Sequence, residues 1–411
     1  MIWLKNFKDY LLLFLRWLIL GIILGLVGGL IGVLFSKAIG MVTQLRGEHN
    51  WLVFLLPLGG LATVAVYKLC RIDGVGTNHV FESVRGEKSV SFLLAPAVFA
   101  CSCITHLCGG SAGREGAALQ LGGSVASLLA KVFRLDEKTR HVITMCGMGA
   151  FFSAIFGTPL GAFVFAIEVV SVGHFCSTAI FPGLISSVIA FLVAHSLGAE
   201  AERFPLTAVP QLSLKTIALV LLLAVICALV SALFCYCLHY TSERFDKWFK
   251  NDFLKAAIGG ALIVVLTMIV GSTDYNGGGV DVILRIFETG DVRYEAFALK
   301  IIFTAITVAA GFKGGEIIPT LFIGATLGGA LGALIGLSPA FGAAIGIAAL
   351  FCGVTNCPIA TIILCIEMFG AEGSIYFALA AITSFLLSGY VSLYSSQKVV
   401  FSKWSEELRE I

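Results

Sequence analysis

Apolar residues run along this chain in long blocks, and its charged residues fall in short patches between them. Blocks long enough to cross a bilayer cover roughly 11–34, 51–70, 90–107, 142–170, 178–197, 214–238, 256–271, 297–310, 341–369 and 376–394. Four others, 116–130, 146–157, 317–336 and 349–357, are short and broken by glycine. A helix of about 15 residues rises only about 22 Å, less than a hydrocarbon core of about 30 Å. The short blocks therefore predict tilted, re-entrant or broken helices. Charged patches at Glu82–Lys88, Lys131–His141, Glu243–Lys255 and Arg285–Tyr294 predict loops at the membrane surface. Together the pattern predicts an all-α polytopic membrane protein of ten or more segments. One transmembrane domain is expected over residues 1–411, with no C-terminal regulatory domain, since only Gln397–Ile411 follows the last block.

Composition narrows this. Hydrophobic residues make up 58% of the chain and charged ones 13%, against about 25% charged in soluble domains. A net charge of +2 gives no argument for nucleic acid as a partner; the lipid bilayer is the expected one. Block 11–34 lacks a small-residue cleavage site and is expected to remain as a span. Lys5, Lys8 and Arg16 flank that block, while Lys398, Lys403 and Arg409 follow the last one. Both ends are thus expected in the cytoplasm, which requires an even number of crossings. Cys101, Cys103 and Cys108 approach metal spacing, as do Cys235 and Cys237, but all lie in apolar runs where cysteine serves as a small hydrophobe. No His/Cys pair has zinc-site spacing, so neither a metal nor a cofactor is expected.

Gly113-Arg114-Glu115-Gly116 carries the most chemistry. It sets two opposite charges side by side inside a long apolar region. Charges at bilayer depth are expensive, and immediate neighbours project from different faces of a continuous helix. Breaking the helix at the glycines is cheaper, because its N-terminus and free N–H groups then point into a polar cavity. That geometry attracts an anion, and the Glu115 carboxylate competes for the same place. A membrane anion pathway with a titratable gate is the reading.

The chain also repeats itself. Phe151 to Glu168 resembles Leu350 to Glu367, with Pro159 and Glu168 matching Pro358 and Glu367 at an offset of 199. Glycine-rich runs precede both blocks, and Gly113 and Gly315 stand 202 apart. Glycine-broken apolar segments at matching places in two halves point to a transport site at the repeat interface. The approximate halves are 11–200 and 210–395.

Three breakpoints stand out: Gly74-Val75-Gly76-Thr77-Asn78, Gly113-Arg114-Glu115-Gly116, and Gly314-Gly315-Glu316-Ile317-Ile318-Pro319. With Tyr394 near the end of the last span, they resemble the CLC family of chloride channels and proton-coupled anion antiporters, over nearly the whole chain. The resemblance implies a homodimer with a separate anion pore in each subunit and two inverted halves per subunit. It implies helix N-termini converging on an anion site, with Val75, Gly76, Thr77, Asn78, Gly113, Arg114, Gly116, Ile317, Ile318 and Tyr394 around the anion. Glu115 is then the gate and proton carrier, moving in and out of the site.

Three departures shift the expected substrate. Chloride transporters usually carry a serine hydroxyl where this chain has Val75, and a hydrophobic residue where it has Glu316. Proton-coupled chloride exchangers have an inner glutamate just after the position of Glu168; here that place is Val169. Together these departures resemble the fluoride-exporting branch of the family. That branch usually has a threonine two residues after the third-motif glutamate, where this chain has Ile318. Fluoride is small, strongly hydrated and basic, and so favours strong donors and exchangeable protons. The Thr77 hydroxyl and Asn78 amide would supply hydrogen bonds nearby. Glu316 is expected to assist proton transfer.

Other residues have plainer readings. Glu115 with Arg114 reads alternatively as an ion pair holding a helix break, and Glu316 as a helix cap or partner of Lys313. Thr77 and Asn78 are also good N-caps. Glu168 and Glu367 are expected to be structural, capping or interfacial, and His106 and His174 to be satisfied core histidines. Tyr390, one turn before Tyr394, rivals it as an anion-facing hydroxyl. The expected function is fluoride export coupled to proton entry, through the plasma membrane of a microbe. The alternative is a voltage-gated type of chloride channel or a chloride/proton exchanger on the same fold. An enzyme is not expected: no paired aspartates occur at helical spacing within the apolar blocks.

Overall fold

The computed structural model describes residues 2–405, with side chains described from Phe7 onward. Arg409, and with it the end of the segment Gln397–Ile411, lies outside the described residues. Sixteen α-helices occur among those residues, in two runs of eight. The first run is α1 (Ile2–Glu48), α2 (Leu56–Leu69), α3 (Thr77–Val84), α4 (Leu94–Cys108), α5 (Glu115–Val132), α6 (Glu137–Phe156), α7 (Pro159–Glu168) and α8 (Ile180–Ser196). The second is α9 (Leu214–Trp248), α10 (Asp252–Val270), α11 (Val280–Thr289), α12 (Ala296–Ala309), α13 (Ile317–Ile335), α14 (Pro339–Thr355), α15 (Pro358–Phe369) and α16 (Ser374–Leu387). Packing repeats between the runs. α5 lies on α6 as α13 lies on α14, and α1 meets α6 and α8 as α9 meets α14 and α16. The runs join where α2 packs on α10 and α7 on α15.

Local chemistry sets the breaks. α6 and α14 end at Gly157 (φ 78°) and Asn356 (φ 58°), both left-handed, and Pro159 and Pro358 open the next helices. Blocks 142–170 and 341–369 are therefore two helices each, where single spans were expected. Hydropathy does not register a two-residue break whose flanks stay apolar. Stretches 146–157 and 349–357 are likewise the ends of α6 and α14 rather than separate pieces. The charged patches are mostly helical too. Glu137–His141 opens α6, and only 249–251 separates α9 from α10. Arg285 lies within α11.

Two carboxylates cross-link α7 and α15. Glu168, at the end of α7, accepts hydrogen bonds from the Ile359 and Ala360 N–H groups at the start of α15 (3.2 and 2.8 Å). Glu367, at the end of α15, accepts from the Leu160 and Gly161 N–H groups at the start of α7 (3.0 and 2.7 Å). Each satisfies donors that a helix N-terminus leaves without partners. The capping role expected of both glutamates is what the structure shows.

By length and composition, six helices are able to cross a membrane, and several apolar helices of 10–17 residues are shorter. α5, α6, α13 and α14 are buried along most of their length. Glycines let these helices touch at the backbone: a Cβ on Gly122 would lie 2.3 Å from the Gly147 oxygen, and one on Gly324 2.6 Å from that of Gly346. Two short strands, β1 (Ser171–Val172) and β2 (Lys398–Val399), pair in parallel and fasten the C-terminal tail. Lys398 Nζ reaches Glu87 (2.7 Å), which Arg85 also holds (2.9 Å).

Candidate anion site at two facing helix ends

α5 and α13 meet N-terminus to N-terminus. Gly113 and Gly315, just ahead of them, exchange backbone bonds: the Gly113 N–H donates to the Gly315 oxygen at 2.6 Å, and the Gly315 N–H returns one at 2.7 Å. No side chain fits here. A Cβ on Gly315 would sit 2.3 Å from the Gly116 nitrogen, and one on Gly113 2.6 Å from Glu115 Oε2. First-turn N–H groups lack acceptors within their own helix, and the helix dipole favours negative charge beside them.

Glu115 is wholly buried at the start of α5. Its Oε2 accepts from the Arg114 backbone N–H at 3.0 Å, while Oε1 has no hydrogen-bond partner and lies 3.6 Å from Arg114 Nε. The guanidinium is engaged elsewhere. Nη1 donates to Ser36 Oγ on α1 (2.8 Å), and Nη2 donates to Glu202 Oε1 (2.5 Å) and the Ile155 carbonyl (3.5 Å). The Arg114–Glu115 pair is thus the looser of the two that Arg114 makes. Glu202 was not among the sequence candidates; it stands 88 positions away in the connection between the runs, and no spacing signals it. Glu115 faces a cavity of about 670 Å³ that Arg46, His106, Asn276 and Ile318 also line. His106 departs from its expected role as a satisfied core residue, because its buried Nδ1 has no partner. His174 is exposed rather than part of the core.

Glu316 occupies the N-cap position of α13, but its side chain makes no capping hydrogen bond. Only its carbonyl is used, accepting from the Thr320 N–H (3.0 Å) and hydroxyl (2.8 Å). Its Oε2 points to the start of α5, 3.4 Å from where a Cβ on Gly116 would be. Lys313, its alternative partner, lies over the Tyr67 ring, 4.2 Å from the centroid. Ile317 and Ile318 open α13 and are buried; Ile318 packs against Gly113 and Gly278.

The first breakpoint arrives from the other side. Gly76 caps α3, its carbonyl accepting from the His79 N–H at 3.1 Å, and Val75 is half-buried just before it. Thr77 Oγ1 accepts from Gln120 Nε2 on α5 (3.1 Å). The Asn78 side chain is committed to the tail: its Nδ2 donates to Ser395 Oγ (3.0 Å), and its Oδ1 accepts from the Ser396 hydroxyl (2.9 Å) and N–H (3.2 Å). These bonds hold the segment carrying Tyr394, whose ring meets Phe81 edge-on at 4.9 Å. The Tyr394 hydroxyl is buried with no partner, within electrostatic reach of Glu316 and Glu115. Tyr390 turns away, to Ser402 and the Lys403 N–H. The structure therefore brings Glu115, Glu316, Gly113, Gly116, Ile318 and Tyr394 together, joins Thr77 to α5, and uses Asn78 as a tie. Among the described residues, no three His, Cys, Asp or Glu side chains are grouped to hold a metal ion.

Comparison with known proteins follows the same lines. A family model described as voltage gated chloride channel matches residues 58–389. The chain is 33% identical over 403 residues to a chloride/fluoride channel protein of Pseudomonas syringae pv. tomato, covering 96% of this chain and 89% of that one. A crystal structure of a CLC-type fluoride/proton antiporter matches with a TM-score of 0.91 at 30% identity, covering 93% of this chain and 98% of the other. A slow cyanobacterial Cl⁻/H⁺ antiporter matches with a TM-score of 0.79 at 21% identity over 91% and 94% of the two chains, a likeness of fold.

Proposed function

The chain belongs to the voltage-gated chloride channel family, made up of membrane anion channels and transporters rather than enzymes, and within that family we propose that it exports fluoride in exchange for protons. The observation that carries this is the state of Glu115: a wholly buried carboxylate with one oxygen unpartnered, at a helix N-terminus, facing a cavity. Such a group holds the place an anion would take. When it is protonated or displaced, the N–H groups at the starts of α5 and α13 and the Tyr394 hydroxyl become donors for the anion. With Arg114 held by Glu202 and Ser36, the Glu115 side chain is free to move without breaking the tighter ion pair.

Fluoride rather than chloride is supported by Val75, which offers no hydroxyl to a larger and softer anion, and by Glu316. The latter places a second exchangeable proton beside the start of α5. The proteins whose names include fluoride support the same choice. Chloride transport is the second reading, favoured by Ile318 in the place where the fluoride-exporting branch usually has threonine. We further place the protein in the plasma membrane of a microbe, as one transmembrane domain with halves 11–200 and 210–395. A homodimer fits the exposed apolar side chains Leu160, Leu192, Ile359, Ile375 and Ile382 on α7, α8, α15 and α16.

Reconstitution into liposomes with fluoride and chloride electrodes tests the proposal. Fluoride efflux is expected to exceed chloride efflux by far and to drive protons the opposite way. Chloride flux equal to that of fluoride would overturn the fluoride assignment. Glu115→Gln is expected to abolish proton coupling, and coupled exchange unchanged in that variant would remove Glu115 from the role of carrier.

A further inference from the structure

A separate cavity of about 580 Å³ lies beside the first part of α1, far from Glu115. The continuous helix α1 measures the distance: Trp17 lines this cavity and Ile39 the Glu115 cavity, 22 residues along. That rise is about 33 Å, close to the thickness of a hydrocarbon core, so the cavity sits at a membrane boundary. Tryptophan is a residue type that favours this level. Leu13, one turn before Trp17, and Ile180, two residues after the lining residue Thr178, are exposed apolar side chains. The cavity therefore adjoins the surface that lipid covers.

Its polar wall is basic. Arg85, Lys138, His141 and His174 line it, and among the described residues no aspartate or glutamate does. Lys138 and His141 stand three positions apart on α6 and so share a face. Neither they nor His174 form an ion pair among the described residues. Arg85, at the end of α3, does so with Glu87 (2.9 Å), but Lys398 shares that carboxylate (2.7 Å), so two cations hold one anion. The acids where α6 begins are engaged elsewhere. Asp136 meets Arg16 (3.3 Å) and accepts from the Thr139 hydroxyl (2.6 Å), and Glu137 lines a neighbouring cavity. Ammonium and guanidinium groups offer only donors, and each imidazole offers an N–H; this is a set that grips a phosphate. Trp17 and Met145 give the cavity an apolar part as well. Its volume takes an organic ligand rather than a single ion, and a basic pocket between membrane helices suits the headgroup of an anionic lipid.

We propose that this cavity binds the headgroup of an anionic phospholipid, with Arg85, Lys138, His141 and His174 around the phosphate and Trp17 and Met145 against the start of an acyl chain. Its level in the membrane and its apolar part favour a lipid over free phosphate. The full-length protein in detergent is titrated with phosphatidylglycerol or phosphatidylcholine, and bound lipid is counted by native mass spectrometry. This readout does not depend on which anion the protein transports. Phosphatidylglycerol is expected to saturate one site per chain and to bind roughly tenfold more tightly than phosphatidylcholine. Lys138 and His174 are exposed, so their replacement leaves the packed helices intact. Lys138→Gln combined with His174→Gln is expected to raise the half-saturating phosphatidylglycerol concentration roughly tenfold and to leave phosphatidylcholine binding unchanged. Lys138→Arg keeps the charge and is expected to stay within about twofold of wild type. Equal binding of the two lipids by the wild type, or phosphatidylglycerol binding unchanged in the double variant, overturns the site. Displacement of phosphatidylglycerol by an equal concentration of inorganic phosphate overturns the lipid as its occupant.

Discussion

Arg114 and Glu115 are neighbours in the chain, yet the guanidinium is held by a carboxylate 88 positions away. Glu202→Gln would remove that hold and leave Arg114 to pair with Glu115. We expect anion turnover to fall about tenfold, as a charge-assisted hydrogen bond is transferred onto the gate; turnover equal to wild type in the liposome assay would show that Glu202 does not keep Arg114 off Glu115. Gly315 admits no larger residue. With a Cβ 2.3 Å from the Gly116 nitrogen, Gly315→Ala should cost about 3 kcal/mol, seen as a lower melting temperature in detergent. At this scale the sequence was legible where the signal is local. Adjacent charges between glycines expose Glu115 at once, whereas Glu202, Gln120 and Ser396 become partners only through the fold. The same limit explains Asn78, whose residue type fits an anion site but whose amide holds Ser395 and Ser396.

Helices here begin and end on signals of two or three residues, and these decide what hydropathy leaves open. Gly157-Thr158-Pro159 and Asn356-Cys357-Pro358 each split an apolar block in two. A window of nearly twenty residues averages over such a break, so the blocks were legible and their subdivision was not. Glu168 and Glu367 were legible as a matched pair because each caps the other's helix. We expect Glu168→Gln to cost about 1 kcal/mol, since an amide accepts through one oxygen where the carboxylate uses two. A melting temperature unchanged from wild type would deny the cap. In the loop outside the spans, the Arg85 hydrogen bond, followed by that of Lys398, lowers the Glu87 pKa from its usual 4.5 to about 2. The folded value is depressed, so the contribution is whole above pH 4.5 and is lost as the pH falls through about 2. The group is largely exposed, and its worth is less than about 1 kcal/mol. Protection of the Val400 amide, which bonds the Val172 carbonyl at 3.0 Å, should fall across that pH window in hydrogen exchange. In Glu87→Gln that fall should disappear.

Over the whole molecule, two runs of eight helices use the same order and the same packing partners. The repeat was visible in sequence only where the same structural role dictates residue type in both halves, with proline at a helix start, glutamate at a helix end and glycine at the meeting point. Elsewhere any apolar residue serves, and the likeness fades. The rung between Gly113 and Gly315 has a further consequence, for synthesis. Its two residues lie 202 positions apart, and at about 5–20 residues per second the second emerges roughly 10–40 s after the first. During that interval the Gly113 N–H and carbonyl lack their partners, and Glu115 stands at a helix end with nothing facing it. A nascent first half therefore exposes the polar groups that membrane quality control recognises. A chain stopped between α8 and α9 would be a target for degradation rather than half of a working pore.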